Sequence, residues 1–181
     1  NEYHESGLNA ALEIARLPVI AALNGFTMGG GAVLSLACDI RIAAESMKIG
    51  FPEVSVGAFA SGSGTQRLAH AVGKGRALDL LLTGRVVDAR EALEYGLVEF
   101  VYPDEELLDQ ALTMAEIIAA KPAGAVSASK QCVIVGLRDG WEAGMAQERE
   151  MRIQTGRGAD ALEGRHAFIE KRQPRFNQEE S

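Results

Sequence analysis

The chain has too few cysteines and histidines for most metal or disulfide chemistry. Its two cysteines, Cys38 and Cys132, stand far apart, and neither sits in a C-x-x-C or Cys/His set with metal-ligand spacing. A structural zinc site and a disulfide framework are therefore excluded; both residues read as buried thiols, suited to a reducing compartment, with the cytoplasm as the default. The three histidines, His4, His70 and His166, have no partner at triad or ligand spacing and read as surface or packing residues. No apolar run approaches the length of a membrane span and no signal peptide opens the chain. Positive charge is also scarce, with 18 Lys and Arg against 25 Asp and Glu, net −7. That balance argues against a broad nucleic-acid or membrane footprint, so a basic patch for a phosphorylated ligand has to be sought locally.

What is present is an ordinary globular composition over 181 residues, 47% hydrophobic, long enough to bury a sizeable core. The chain opens at Asn1 without methionine. Residues 2–16 read as a helix with Leu8, Ala11, Leu12 and Ala15 on one stripe. Leu17-Pro18 ends it.

The informative stretch runs from Pro18 to Glu53. Val19 to Leu23 reads as a strand covered on both faces, because it shows no polar alternation. Asn24 to Gly31 forms a glycine-dense corner, followed by a small-residue helix over 32–37. Two short strands, 39–43 and 47–50, lead into Phe51-Pro52-Glu53. A strand that ends in glycines and restarts as a helix leaves backbone N–H groups unpaired at the helix N-terminus, which suits negative charge.

Beyond Glu53, residues 54–64 read as an irregular Gly/Ser/Ala loop, with a helix starting near 63–65. Helical stripes end at Gly73, Gly84 and Gly96, and Asp88 with Glu91 has capping-box spacing. A strand over 97–102 precedes Pro103. Asp104 is placed to cap a helix with a wide apolar face through Leu107, Leu108, Ala111, Leu112, Ala115, Ile118 and Ala119. Three more helices follow, starting near Pro122, Trp141 and Ala159. The expected division is residues 1–103 as core and 104–181 as a helical layer.

Two nucleotide-binding readings of the glycine corner fail on spacing. A phosphate loop needs a Lys after its last glycine, and none follows Gly29-Gly30-Gly31. A dinucleotide fingerprint needs G-x-G-x-x-G, which the glycines do not match, and Glu53 lies in a Pro-initiated loop rather than at a strand end. Close helix-to-strand packing alone stays open as an explanation.

The motifs in order are Asn24-Gly25-Phe26, Gly29-Gly30-Gly31, Ala37-Cys38-Asp39-Ile40-Arg41, Gly50-Phe51-Pro52-Glu53, Gly57, Gly64-Thr65-Gln66-Arg67-Leu68, Leu82-Thr83-Gly84, Ala92-Leu93-Glu94-Tyr95-Gly96-Leu97-Val98 and Phe168-Ile169-Glu170-Lys171-Arg172. Through nearly its whole length the chain resembles the crotonase superfamily, the enoyl-CoA hydratase/isomerase family. The resemblance implies an α/β fold, a spiral of ββα units with a C-terminal helical region for trimer assembly. It also implies an acyl-CoA thioester as ligand, a homotrimer or dimer of trimers, and no cofactor, coenzyme A being part of the substrate. The N-terminal third of a usual member is expected upstream of Asn1 or in a separate piece.

The same resemblance supplies roles. Gly30 matches the family's oxyanion donor, and the resemblance implies that Gly29, Gly31 and Val33 line the substrate around it, Val33 as an apolar floor; the second donor belongs to the upstream segment, so this sequence alone does not close the oxyanion hole. Of the two glutamates that hydratases use, one matches Glu53 and the other matches Val33, a residue without acid-base chemistry. Phe168 and Lys171 match positions that contact the CoA adenine and phosphate region, and Lys171, Arg172 and Arg175 form a local basic cluster. A basic helix end is equally explained by the helix dipole. One carboxylate favours double-bond isomerisation; hydration, or a catalytically silent acyl-CoA-binding or assembly subunit, are the alternatives.

Overall fold

The computed structural model describes residues 7–178. The part of the first expected helix before Gly7, with His4, lies outside them; what remains is α1, Leu8–Ile14. The chain divides into two units, one of residues 7–15 and Val19–Thr113, the other of Arg16–Pro18 and residues 114–178.

The first unit holds two three-stranded sheets. In one, β1 (Ile20–Leu23) pairs in parallel with β3 (Ile40–Ala44), and β3 with β6 (Phe100–Tyr102). In the other, β2 (Phe26–Met28) pairs in parallel with β4 (Lys48–Gly50), and β4 pairs antiparallel with β5 (Val86–Asp88). Successive turns of the chain thus add one strand to each sheet. β1-β2 closes with helix α2 (Gly30–Leu36), and β3-β4 with the 3-10 turn Pro52–Val56 and helix α3 (Gly64–Val72). This is the expected spiral of ββα units. Ile42, Met47, Ile49, Phe51, Leu68, Leu80, Leu97 and Val98 fill its interior, each under 2% exposed.

Several expectations need correction. β1 is not covered on both faces: Leu23 alone is buried and Ala22 is exposed, as suits an edge strand. In β3 Arg41 is buried with its neighbours. Its guanidinium is satisfied by Leu97 O (2.8 Å), Cys38 O (3.0 Å) and the Glu99 carboxylate. α2 begins at Gly30 rather than at residue 32. β2 and β5, three residues each, have no readable period at that length. Asp104 does not cap the next helix; its carboxylate is taken by Ser46, backbone N–H and hydroxyl. Cys38 and Cys132 are half-buried rather than buried.

The helix stops are where glycine chemistry puts them. Helix α4 (Lys74–Thr83) ends at Gly84 and α5 (Ala89–Tyr95) at Gly96, both left-handed, and Asp88 accepts from Glu91 N–H at 2.9 Å. α6 (Leu107–Ala119) spans the division between units and buries only Leu107 of its apolar face. The second unit continues with α7 (Ala123–Asp139), α8 (Trp141–Gly156) and α9 (Ala159–Glu170). α7 and α8 touch through facing glycines: a Cβ on Gly144 would lie 2.8 Å from Gly136 Cα. No helix among the described residues is long and apolar enough to cross a membrane.

Candidate active site

The corner is built by the β2-β4 ladder. Met28 stands opposite Gly50, and the Gly29 N–H donates to Gly50 O at 3.0 Å. Gly29 then turns the chain with φ 53° and ψ −120°, a conformation open in practice to glycine alone. The first helical bond runs from Val33 N–H to Gly29 O at 2.9 Å. Gly30 and Gly31 precede that bond, so their N–H groups have no acceptor within α2. Both residues are exposed, and a Cβ on either would meet nothing within 4 Å. Internal packing therefore does not require glycine at these two positions. What glycine leaves there is open space beside two unpaired N–H donors.

Glu53 reaches the same corner from the neighbouring strand. β4 comes close because Gly50 has no side chain: a Cβ there would stand 3.1 Å from Val86 Cγ2 and 3.3 Å from Met28 Sδ. Phe51 is buried, Pro52 opens the 3-10 turn, and the Glu53 carboxylate swings back over Gly29. Oε1 lies 3.5 Å from where a Gly29 Cβ would be. Oε2 is buried and has no hydrogen-bond partner among the described residues. Leaving a carboxylate oxygen desolvated and unpaired costs stability, which makes Glu53 a candidate functional group.

The turn carrying Glu53 rests on Gly84. A Cβ at this left-handed residue (φ 64°) would lie 3.2 Å from Val54 Cγ2 and 3.3 Å from Pro52 Cα. The next residue, Arg85, is fixed by Asp79 (2.6 and 2.8 Å), Glu91 (2.7 Å) and the Tyr95 hydroxyl (2.9 Å). The hydrogen bond from Arg85 holds the Glu91 carboxyl below its ordinary range. In the sequence Gly84 reads only as a helix stop; its second contact, with Pro52, depends on tertiary packing.

Val33 lies one turn along α2 from Gly29, is 3% exposed, and belongs to the core. Its methyls pack against the first residue of α3: a Cβ on Gly64 would be 2.6 Å from Val33 Cγ2. Phe168 and Lys171 lie in the second unit. Phe168 is 85% exposed on α9, and Lys171 is the left-handed cap of that helix. Within the basic cluster, Arg172 is held by Glu163 (2.5 and 2.8 Å) and Glu170 (2.6 Å), so much of its charge is neutralised. His70 and His166 are exposed. Among the described residues no group of three His, Cys, Asp or Glu is arranged to hold a metal. Cavities of about 560 and 570 Å³ in the second unit are lined by none of the corner's residues.

Residues 2–179 match the model of the family described as enoyl-CoA hydratase/isomerase. The chain belongs to that family. Among solved structures, the enoyl-CoA hydratase of Bacillus anthracis superposes with a TM-score of 0.90 at 43% identity, over 93% of this chain and 65% of that one. The Mycobacterium tuberculosis protein named "Probable enoyl-CoA hydratase echA8" is 41% identical over 165 residues, 91% of this chain and 64% of the relative. The 2,3-dehydroadipyl-CoA hydratase of Escherichia coli K12 is 37% identical over 167 residues, 92% of this chain and 66% of the relative. The chain thus spans just under two thirds of the length of these members of the enoyl-CoA hydratase/isomerase family.

Proposed function

We propose that the protein acts on acyl-CoA thioesters, with Glu53 as its single acid-base group and the Gly30 N–H as one donor to the thioester enolate. The observation that carries this reading is the buried, unpaired Oε2 of Glu53 beside the open N-terminal turn of α2. Proton removal from the α carbon builds charge on the thioester oxygen, and a donor preorganised toward that oxygen lowers the barrier by about 3 kcal/mol. Gly30 has the free N–H and the space for such a ligand. The second donor belongs to the upstream segment of the family.

A single carboxylate suffices to move a double bond. Glu53 takes the proton from C2 of a 3-enoyl-CoA and returns it to C4, giving the conjugated 2-enoyl-CoA. No cofactor is needed, coenzyme A being part of the substrate. Hydration calls for a held water and a proton donor, work that paired carboxylates share, and Val33 brings no second one. The reading extends to a homotrimer or dimer of trimers in the cytoplasm, with Phe168 and Lys171 toward the CoA moiety.

Hydration is the second reading, favoured by the relatives named hydratases. The test is direct: full-length protein is given 3-enoyl-CoA and, separately, 2-enoyl-CoA, and the conjugated-thioester absorbance is followed. A rise with the first substrate supports isomerisation, a fall with the second supports hydration, and CoA-ester binding with neither means a silent family member.

A further inference from the structure

The loop before α3 lies against Val33, one turn along α2 from Gly29. Gly62 (φ 66°) and Ser63 (φ 67°) are consecutive left-handed residues, and a serine adopts that conformation only against steric resistance. Such a segment needs an external hold to keep one conformation. The structure supplies one at Gly62 O. Gly62 O accepts from the Asn9 amide at 3.1 Å and from Arg67 Nη1 at 3.3 Å. The other terminal nitrogen of Arg67 is paired with Glu13, the side chains being 13% and 24% exposed. α1 buries none of its residues fully. It contributes Asn9 and Glu13 to this linkage.

We propose that Arg67, with Asn9 and Glu13, is a positioning clamp for the active-site corner. Arg67 holds Gly62 O; the loop from Gly62 to Gly64 packs on the Val33 methyls; and Val33 N–H closes on Gly29 O, in the turn that presents Gly30. An arginine fits because its planar fork serves a carboxylate and a carbonyl together, which the compact ammonium of a lysine does not. All three are assigned a positioning role. They act through the loop, and the consequence for turnover rests on the site reading above.

The test pairs amide hydrogen exchange with steady-state kinetics on the full-length protein, wild type against Arg67→Met, Arg67→Lys and Asn9→Ala. The Gly64 and Thr65 amides, bonded to Ser61 O and Ala60 O, report the loop. In Arg67→Met they should exchange at least about tenfold faster while the amides of β3 keep their wild-type rates. In the same variant kcat should fall about 10- to 100-fold with KM changed less than about threefold, the mark of lost orientation rather than lost binding. Arg67→Lys should recover part of both losses. Asn9→Ala, which spares the ion pair, should loosen the same two amides to a smaller extent, and it decides the matter should Arg67→Met not fold. Unchanged exchange at Gly64 and Thr65, or acceleration spread evenly over the unit, overturns the clamp. Should the wild type turn over no enoyl-CoA, the site reading fails, and the exchange result alone still decides for or against the clamp.

Discussion

Val33 occupies the space that a side chain at Gly64 would need, its Cγ2 standing 2.6 Å from the position of a Gly64 Cβ. The two residues are complementary parts of one contact, a branched side chain from α2 and an absent one from α3. Overpacking of this kind costs about 1–3 kcal/mol, so Gly64→Ala should lower stability by that amount in urea unfolding. Adding Val33→Ala should cost less than the sum of the two single changes, because the shortened side chain makes room.

Gly29 and Gly30 are neighbours with opposite reasons for being glycine. Gly29→Ala meets a strained backbone (φ 53°, ψ −120°) and should lose about 1–3 kcal/mol of stability. Gly30→Ala places its methyl in open space and should stay within about 1 kcal/mol of wild type. Its turnover should nevertheless fall at least about tenfold, because the methyl stands beside the donor. Thermal melts and initial rates on the two variants separate the structural glycine from the functional one.

Arg41 should behave as a structural residue despite its place in one of the motifs that carry the family resemblance. It is 9% exposed, and it donates to Leu97 O, Cys38 O and Glu99. Arg41→Met leaves those acceptors unpaired and should cost roughly 3 kcal/mol, with kcat per folded molecule unchanged.

A defined acid sensitivity follows from Glu163. Hydrogen bonds from Arg172, then from the Arg175 N–H, lower its carboxyl from 4.5 to about 2. Because the folded value lies below the unfolded one, the stabilisation is complete above pH about 5 and is lost as pH falls toward about 2. Urea midpoints measured across that window should fall less steeply in Glu163→Gln than in wild type.

The sequence carried most of the helices and the glycine stops, though not the three-residue strands β2 and β5, because a left-handed helix end and an N-cap are local: Gly84, Gly96 and Asp88 stand in the expected roles. It carried the corner too, since Gly29 to Gly31 and Pro52-Glu53 lie in motifs with fixed spacing. Tertiary relations stayed out of reach. Arg41 is buried, and its acceptors at Leu97 and Glu99 lie on the approach to β6, far along the chain. Asp104 has the look of a helix cap, yet Ser46 takes its carboxylate. Gly62 O draws its partners from residues 53 positions before it and five after it. Apart from Arg67, these partners lie beyond the reach of a local pattern.

That Glu53 alone moves the proton is tested most directly by the steady-state rate of 3-enoyl-CoA to 2-enoyl-CoA conversion in full-length Glu53→Gln, with circular dichroism to establish that it folds. Glutamine keeps the shape and removes the base, so kcat should fall at least about a hundredfold while the fold is retained. A folded Glu53→Gln protein with wild-type turnover would contradict a mechanism with this single base.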